Sequence, residues 1–197
     1  MKPRSQADIG ALCVLVFVVC SAFRDVYFGG VFQSISVFLV LLIAFGMMTL
    51  AGLGITIWKN PASLRIIAAA PKDVAMMNLA TAGAWTCYFF ALKFLDPSIV
   101  NTLFAGIGPF VVITLAGSRF SIARPSRSTP LQRVLQAGIV LTLATLVWIV
   151  VSGRSGFQSG DAWAAFGSAT LALIAGSSVT VGHLFAKRLD ERGAAPP

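Results

Sequence analysis

Six apolar stretches, each long enough to cross a lipid bilayer as a helix, constrain this chain more than any other feature. A hydrocarbon layer about 30 Å thick requires roughly 20 apolar residues per helix. The apolar residues are continuous rather than alternating, which favours helices over transmembrane strands. The sequence therefore predicts an all-α, polytopic transmembrane helical bundle with about six spans, which cover residues 9–28, 35–57, 74–95, 98–117, 134–152 and 162–186.

The composition supports a membrane protein and excludes a water-soluble enzyme. Apolar residues make up 57% of the chain and charged residues only 11%, whereas a soluble domain carries about 25% charged residues. The net charge is +8, but the basic residues lie between apolar runs rather than on one face, so no nucleic-acid partner is expected. The expected surroundings are the lipid bilayer, and the expected location is a plasma membrane of the bacterial inner-membrane type, as a multi-pass protein.

The distribution of basic residues predicts the orientation of the bundle. Only Arg24, Lys93 and Arg154 lie on one side of the predicted spans. Because positively charged segments stay in the cytoplasm, the more basic side, and with it both termini, is predicted to be cytoplasmic. That side holds the other basic residues: Lys2, Arg4, Lys59, Arg65, Lys72, Arg119, Arg124, Arg127, Arg133, Lys187, Arg188 and Arg192.

The last two predicted spans differ in chemistry. The span over 134–152 is mostly Leu, Val and Ile, which predicts a lipid-facing helix. The span over 162–186 is rich in small and hydroxylated residues, and Ala172 and Gly176 are four residues apart. Small residues at this spacing allow helix backbones to approach closely in a membrane. The span over 162–186 is therefore predicted to be internal.

The third predicted span carries a polar and aromatic stripe. Asn78, Thr81, Trp85 and Tyr88 follow helical spacing along one face. A polar stripe in a membrane is costly unless it faces protein or water. Two interpretations stay open: the stripe binds a solute, with Asn78 orienting it and the aromatic rings forming walls, or it is a seam between helices.

The fourth predicted span contains a possible break. Asn101 lies near its start, and Gly106, Gly108 and Pro109 lie near its middle. A proline inside a helix removes one backbone hydrogen bond, and neighbouring glycines permit a bend. The sequence predicts a hinge at these three residues and a solute-orienting role for Asn101.

Ionisable residues inside the predicted spans are few. Arg24 and Asp25 lie near the outer end of the first span, and Lys93 and Asp96 lie at the equivalent level of the third. One interpretation pairs Arg24 with Asp96 and Asp25 with Lys93 at an outer vestibule. The other places all four side chains in the headgroup layer.

No enzyme motif is recognisable in the sequence. It has no paired carboxylates, no phosphate-binding loop and no nucleophile elbow. Its single His and its three cysteines do not follow metal-ligand spacing. We therefore expect no catalytic residues, no metal and no cofactor.

Residues 78–117 resemble the EamA-type repeat of the drug/metabolite transporter superfamily. The resemblance is carried by an aromatic-containing helix ending in Ala91-Leu92, the turn at Pro97-Ser98 and a helix with central Pro109. The segment HLFAKRLDERG at 183–193 is similar to the sixth helix and following connector of that family.

The resemblance implies a bundle built from five-helix repeats. On this basis, 1–153 forms a first EamA-type five-helix repeat, and 154–197 forms the sixth helix and the start of an incomplete second repeat. The implied function is secondary transport, as an exporter of small organic metabolites or drugs, by a chain completed by a C-terminal half or a second copy. The alternative is a truncated or accessory bundle that needs a partner subunit and does not transport by itself.

Overall fold

The computed structural model describes residues 6–59, 61–116, 130–154 and 162–191, and within them it contains seven helices and no strands. The all-helical prediction is therefore confirmed for the described part of the chain. In order, the helices are α1 (Gln6–Val31), α2 (Val37–Lys59), α3 (Ala62–Ala69), α4 (Pro71–Phe94), α5 (Pro97–Ala116), α6 (Pro130–Val151) and α7 (Ala162–Leu189).

Five of these helices are long and apolar enough to cross a membrane. Their apolar segments coincide within a few residues with five of the six predicted spans, because long apolar runs have few alternatives to a membrane helix. These segments are Gly10–Val31, Val37–Lys59, Pro97–Leu115, Arg133–Val151 and Ala162–Leu189.

The third predicted span, residues 74–95, also forms a helix but is not one of the five. Helix α4 covers Pro71–Phe94, in place of the predicted 74–95, and the polar stripe that begins at Asn78 makes it less apolar than the other long helices. Its buried side chains include Ala84, Phe89 and Leu92. Protein therefore shields much of α4, which lowers the cost of its polar residues in an apolar medium.

Helix α3 was not predicted from the sequence. It occupies the connection between α2 and α4, and the backbone N–H of Ala70 caps its end by donating to the Ile67 carbonyl. The residue Pro71 then begins α4 directly. A connector of only eight helical residues, about two turns, falls below the length that apolar periodicity can identify.

Proline residues mark the starts of several helices. Pro71, Pro97 and Pro130 are the first residues of α4, α5 and α6. Proline suits this position because its missing N–H would have no partner in the helix. At α5, Asp96 precedes the proline, and its Oδ1 accepts the Ser98 backbone N–H at 2.8 Å. The Asp-Pro-Ser sequence therefore gives α5 a capped N-terminus.

The core of the bundle lies where α7 packs against α4 and α5, and the α4–α7 contact is the most extensive. Close approach depends on glycine: a Cβ added at Gly176 of α7 would overlap the Phe104 carbonyl oxygen of α5. Another Cβ, at Gly182, would lie 3.3 Å from Thr81 Oγ1 of α4. The prediction that this small-residue helix is internal is confirmed.

Helix α6 lies at the side of the bundle, as its Leu- and Val-rich sequence predicts. Leu141 and Trp148 are largely uncovered by protein, whereas Leu143 and Val150 face the core. The connection 118–133 and both chain termini lie wholly or largely outside the described residues, together with many of the basic residues on which the predicted orientation depends. The orientation and the division at residue 153 therefore stay predictions.

Candidate aromatic–ionic site

A buried ion pair lies near the end of α1. Both Arg24 Nε and Arg24 Nη2 lie 2.8 Å from Asp25 Oδ1. Asp25 is only 2% exposed, whereas the Arg24 side chain remains 31% exposed. The carboxylate therefore faces the protein interior, and the guanidinium stands between the carboxylate and the surroundings.

Two aromatic rings of α4 lie beside the guanidinium. Arg24 Cζ lies 5.1 Å from the centroid of the Trp85 ring and 5.7 Å from that of Tyr88. Tyr88 in turn meets Phe104 of α5 edge-on, with centroids 4.7 Å apart. We call Arg24, Asp25, Trp85, Tyr88 and Phe104 the aromatic–ionic cluster.

The three helices contribute to the cluster at one level. Asp25 lies six residues before the end of α1, and Tyr88 lies six residues before the end of α4. At 1.5 Å per residue, both lie about 9 Å from those helix ends. Phe104 lies seven residues after the start of α5, or about 10 Å from it. For Asp25, this level falls inside the apolar segment Gly10–Val31.

Two buried polar atoms of the cluster lack hydrogen-bond partners. They are Asp25 Oδ2 and the Tyr88 hydroxyl, although that hydroxyl lies within interaction range of both Asp25 and Arg24. A buried polar atom without a partner costs free energy, and an ionised one costs more. The cluster therefore holds unused capacity to accept hydrogen bonds.

The structure divides the predicted solute-binding residues. Trp85 and Tyr88 meet in a T-shaped contact with centroids 5.7 Å apart, and both belong to the cluster. Thr81 lies against α7, and its hydroxyl donates within its own helix to the Met77 carbonyl. The helix-seam interpretation therefore describes Thr81, while Trp85 and Tyr88 line the ionic group.

The two predicted asparagines lie outside the cluster. Asn78 on α4 and Asn101 on α5 are both exposed on the surface of the bundle. The sequence spacing places Asn78 on the same face of α4 as Thr81 and Trp85. Neighbouring helices cover only the part of that face that holds Thr81 and Trp85, and Asn78 stays exposed. The structure therefore separates the amides from the aromatic rings.

The predicted hinge residues lie in a continuous helix, since α5 runs from Pro97 to Ala116 through Pro109. A Cβ at Gly106 would lie 2.8 Å from Leu143 Cδ2 of α6, and one at Gly108 would lie 3.3 Å from Thr180 Oγ1 of α7. Both glycines therefore permit close helix packing at this level. Pro109 itself is exposed.

The ionic contacts differ from the two predicted pairings. Arg24 bonds its sequence neighbour Asp25, while Asp96 accepts hydrogen bonds from the backbone and hydroxyl of Ser98. Lys93 Nζ lies 5.8 Å from the centroid of the Phe94 ring. Asp96 directly precedes α5, whose first N–H groups have no partner within the helix. Its carboxylate therefore caps this helix instead of pairing with Arg24 of α1.

Sequence reasoning missed Phe104 and the aromatic packing beneath the cluster. Phe89 of α4 lies 5.4 Å from Phe28 and 5.0 Å from Phe32, measured between ring centroids. The spacing of Arg24, Phe28 and Phe32 at four-residue intervals was an available signal, because it places the first two on one face of α1 and Phe32 directly after its end. No comparable spacing indicated that Phe104 would meet Tyr88.

Other surface features of the described residues are less specific. A groove of about 430 Å³ between α5 and α6 is lined by hydroxyl and aliphatic groups, including Ser98, Thr102 and Thr142. Its lining includes none of the predicted solute-binding residues. In the described part of the chain, no group of three or more His, Cys, Asp or Glu residues is placed to hold a metal ion. The aromatic–ionic cluster is therefore the best-defined candidate site.

No known protein family, curated protein or solved structure matches this chain.

Proposed function

We propose that this chain is an integral membrane secondary transporter for small organic solutes, working as an exporter, with the aromatic–ionic cluster as part of its solute path. The observation that carries the proposal is the Arg24–Asp25 pair, which lies within an apolar segment beside the rings of Trp85 and Tyr88. Charged groups at such a depth are costly and commonly mark solute or ion pathways.

The energetics favour a functional role over a purely structural tie. A buried ion pair recovers its desolvation cost only when its remaining hydrogen-bonding groups are satisfied. Here one carboxylate oxygen and the Tyr88 hydroxyl are not. Apolar side chains at positions 24 and 25 would pack α1 against α4 without that cost, so we infer that the ion pair serves binding.

The proposed membrane arrangement has six spans: α4 is added to the five apolar helices as the third in chain order, and both termini are in the cytoplasm. Helix α7 packs extensively against α4, so we infer that α4 can cross the membrane although Asn78 remains exposed. The resemblance of 78–117 to EamA-type repeats supports the same arrangement and the transport function. The resemblance also implies completion of the transport path by a further half or a second copy.

An accessory bundle that joins a partner subunit is the second candidate function. The observation that favours it is the exposure of Asn78 and Asn101 on two adjacent helices. Amide side chains on a lipid-facing surface are costly, and they commonly hydrogen-bond across helix interfaces. In this alternative, the asparagines contact the partner and the cluster stabilises α1 only.

Solute release from proteoliposomes tests the transport proposal. Vesicles containing the purified chain are loaded with a defined mixture of amino acids, sugars and organic amines, and released solutes are quantified by mass spectrometry. We expect protein-dependent release of a subset of the mixture, and its loss in Trp85→Ala. The matched control is Trp58→Ala, because Trp58 is 83% exposed at the end of α2.

The outcome separates the two candidates. Release that survives in Trp58→Ala and is lost in a folded Trp85→Ala variant supports transport through the cluster. If the folded wild-type chain releases no solute beyond protein-free vesicles, the transporter proposal for this chain is refuted. If Asn78→Leu and Asn101→Leu then abolish cross-linking to a partner in cells, the accessory function is favoured.

A further inference from the structure

Only one of the two oxygens of the Asp25 carboxylate contacts Arg24. Oδ1 accepts the hydrogen bond from Arg24 Nε and makes the ion-pair contact with Nη2, while Oδ2 is buried and accepts no hydrogen bond. The Tyr88 hydroxyl is buried within range of both Asp25 and Arg24 but makes no hydrogen bond of regular geometry. A buried carboxylate with one oxygen that accepts no hydrogen bond, beside a tyrosine hydroxyl, is suited to a ligand that donates several hydrogen bonds.

The side chain that now faces this carboxylate is itself a planar organic cation. The Arg24 guanidinium lies against the rings of Trp85 and Tyr88, at 5.1 and 5.7 Å from their centroids. Aromatic faces and a carboxylate together form the environment that recognises organic cations. The cluster already holds such a cation, but one attached to its own chain.

We propose that the aromatic–ionic cluster binds small organic cations with a planar guanidinium-type head, and that Arg24 occupies the same position when no ligand is bound. The proposal names the solute class of the site described above and rests on the proposed function for the role of that site in transport. Arg24 is then a positioning residue that competes with the ligand, while Asp25 and Trp85 contact it.

Charge balance favours exchange over addition. The ion pair of the cluster holds one guanidinium and one carboxylate, so a second cation would leave a net positive charge in an apolar environment. Displacement of Arg24 by the ligand keeps one cation against one anion. Arg24 can leave because its side chain is 31% exposed, and a long basic side chain can extend toward the membrane surface.

The same balance disfavours other ligand classes. When Arg24 leaves, Asp25 loses its positively charged partner. A neutral ligand cannot replace that positive charge, so the carboxylate would remain buried and unpaired. An anionic ligand that displaced Arg24 would lie beside the Asp25 carboxylate, and the two negative charges would repel each other. The site therefore selects for positive charge through Asp25 and for planarity through Trp85.

Direct binding with matched probes tests the proposal. Benzylguanidinium is compared with benzylurea, which has a similar planar shape and no charge. The reporter is the fluorescence of Trp85 in a chain in which Trp58, Trp148 and Trp163 are replaced by Phe. These three side chains are largely uncovered by protein, so their replacement should leave the fold intact. We expect saturable changes with benzylguanidinium and none with benzylurea.

Variants of the ion pair identify the competitor and the anion. Arg24→Gln removes the internal cation, and we expect benzylguanidinium affinity to rise roughly tenfold. Asp25→Asn should lower affinity by at least about tenfold. Since Asp25→Asn leaves Arg24 without its anion and can impair folding, the double variant Arg24→Gln/Asp25→Asn is also tested, and we expect it to fold and not bind. Arg154→Gln is the matched control, because it removes an exposed arginine outside the cluster.

Each result decides the proposal. Equal binding of the two probes, unchanged affinity in folded Arg24→Gln, or retained binding in the double variant would overturn it. Affinity changes in the expected directions, with Arg154→Gln unchanged, would establish it. No solute gradient is used, so absent flux with intact cation binding would count against the transport function alone. Flux of neutral solutes without cation binding would count against the cation assignment alone.

Discussion

The closest approach of two helices in the bundle gives the sharpest stability prediction. At the crossing of α5 and α7, Gly176 lies against the backbone of Phe104. A Cβ added there would overlap the Phe104 carbonyl oxygen and lie 2.5 Å from Ile107 Cγ2. We therefore expect Gly176→Ala to destabilise the bundle by forcing α5 and α7 apart.

The size of the effect follows from these distances. Ordinary van der Waals contact begins at 3.4 Å, so the Ile107 methyl alone must retreat by about 0.9 Å. That methyl is bonded to a branched Cβ and can move only with χ1, which is restricted in a helix, and the Phe104 carbonyl is backbone. Overpacking that moves backbone costs about 1–3 kcal/mol and occasionally more. We expect a loss near the upper end, about 3 kcal/mol, because close packing rather than the hydrophobic effect joins helices in lipid.

Reversible unfolding with sodium dodecyl sulfate in bicelles measures this loss, followed by fluorescence transfer between labels on α5 and α7. The matched control is Gly167→Ala on the same helix, where an added Cβ meets nothing within 4 Å. Alanine is favoured over glycine in a helix by about 0.5–1 kcal/mol, so this control should be neutral or stabilising. If Gly176→Ala were as stable as Gly167→Ala, the crossing described here would be refuted.

Three further predictions concern the core, the seam and the orientation. In the same unfolding titration, Phe89→Ala should cost about 3–5 kcal/mol, because its ring packs against Phe28 and Phe32; a loss below 1 kcal/mol would contradict this packing. Thr81→Val should change stability by less than about 0.6 kcal/mol, since its hydroxyl bonds within its own helix. To test the orientation, Ser34→Cys in the exposed turn after α1 is introduced into a variant without native cysteines. We expect this cysteine to react with an impermeant maleimide added outside intact cells. Reaction only after lysis would reverse the predicted orientation.

The long helices could be predicted from the sequence because one physical requirement dominates them. An apolar run of some 20 residues has few stable alternatives to a membrane helix, and helix α2 illustrates this: the predicted span 35–57 lies within two residues of the observed Val37–Lys59. Helix α4 is the instructive exception. The sequence predicted the position of α4. The polar residues that suggested a binding face also make α4 too polar to count among the helices that could cross a membrane by length and composition.

Contacts between helices were less predictable. The small residues Ala172 and Gly176 correctly indicated an internal helix, because close packing requires small side chains. Which charged groups pair depends on rotations and offsets between helices that a single sequence does not contain. The sequence left two environments open for Arg24, a pair with Asp96 or the headgroup layer. The contacts observed, with its own neighbour Asp25 and with the Trp85 ring, depend on the placement of α4 against α1.

The tightest crossing and the candidate site share a residue, which links stability to binding. The Phe104 carbonyl contacts Gly176 of α7, while the Phe104 ring lies 4.7 Å from the Tyr88 ring in the cluster. A displacement of α5 away from α7 must therefore move one aromatic wall of the cluster. Gly182 offers the contrast, since a Cβ there would meet Thr81 at 3.3 Å and lies away from Phe104. If helix movement opens the solute path, the α5–α7 crossing is where a small displacement would change the environment of Arg24 and Asp25 most directly.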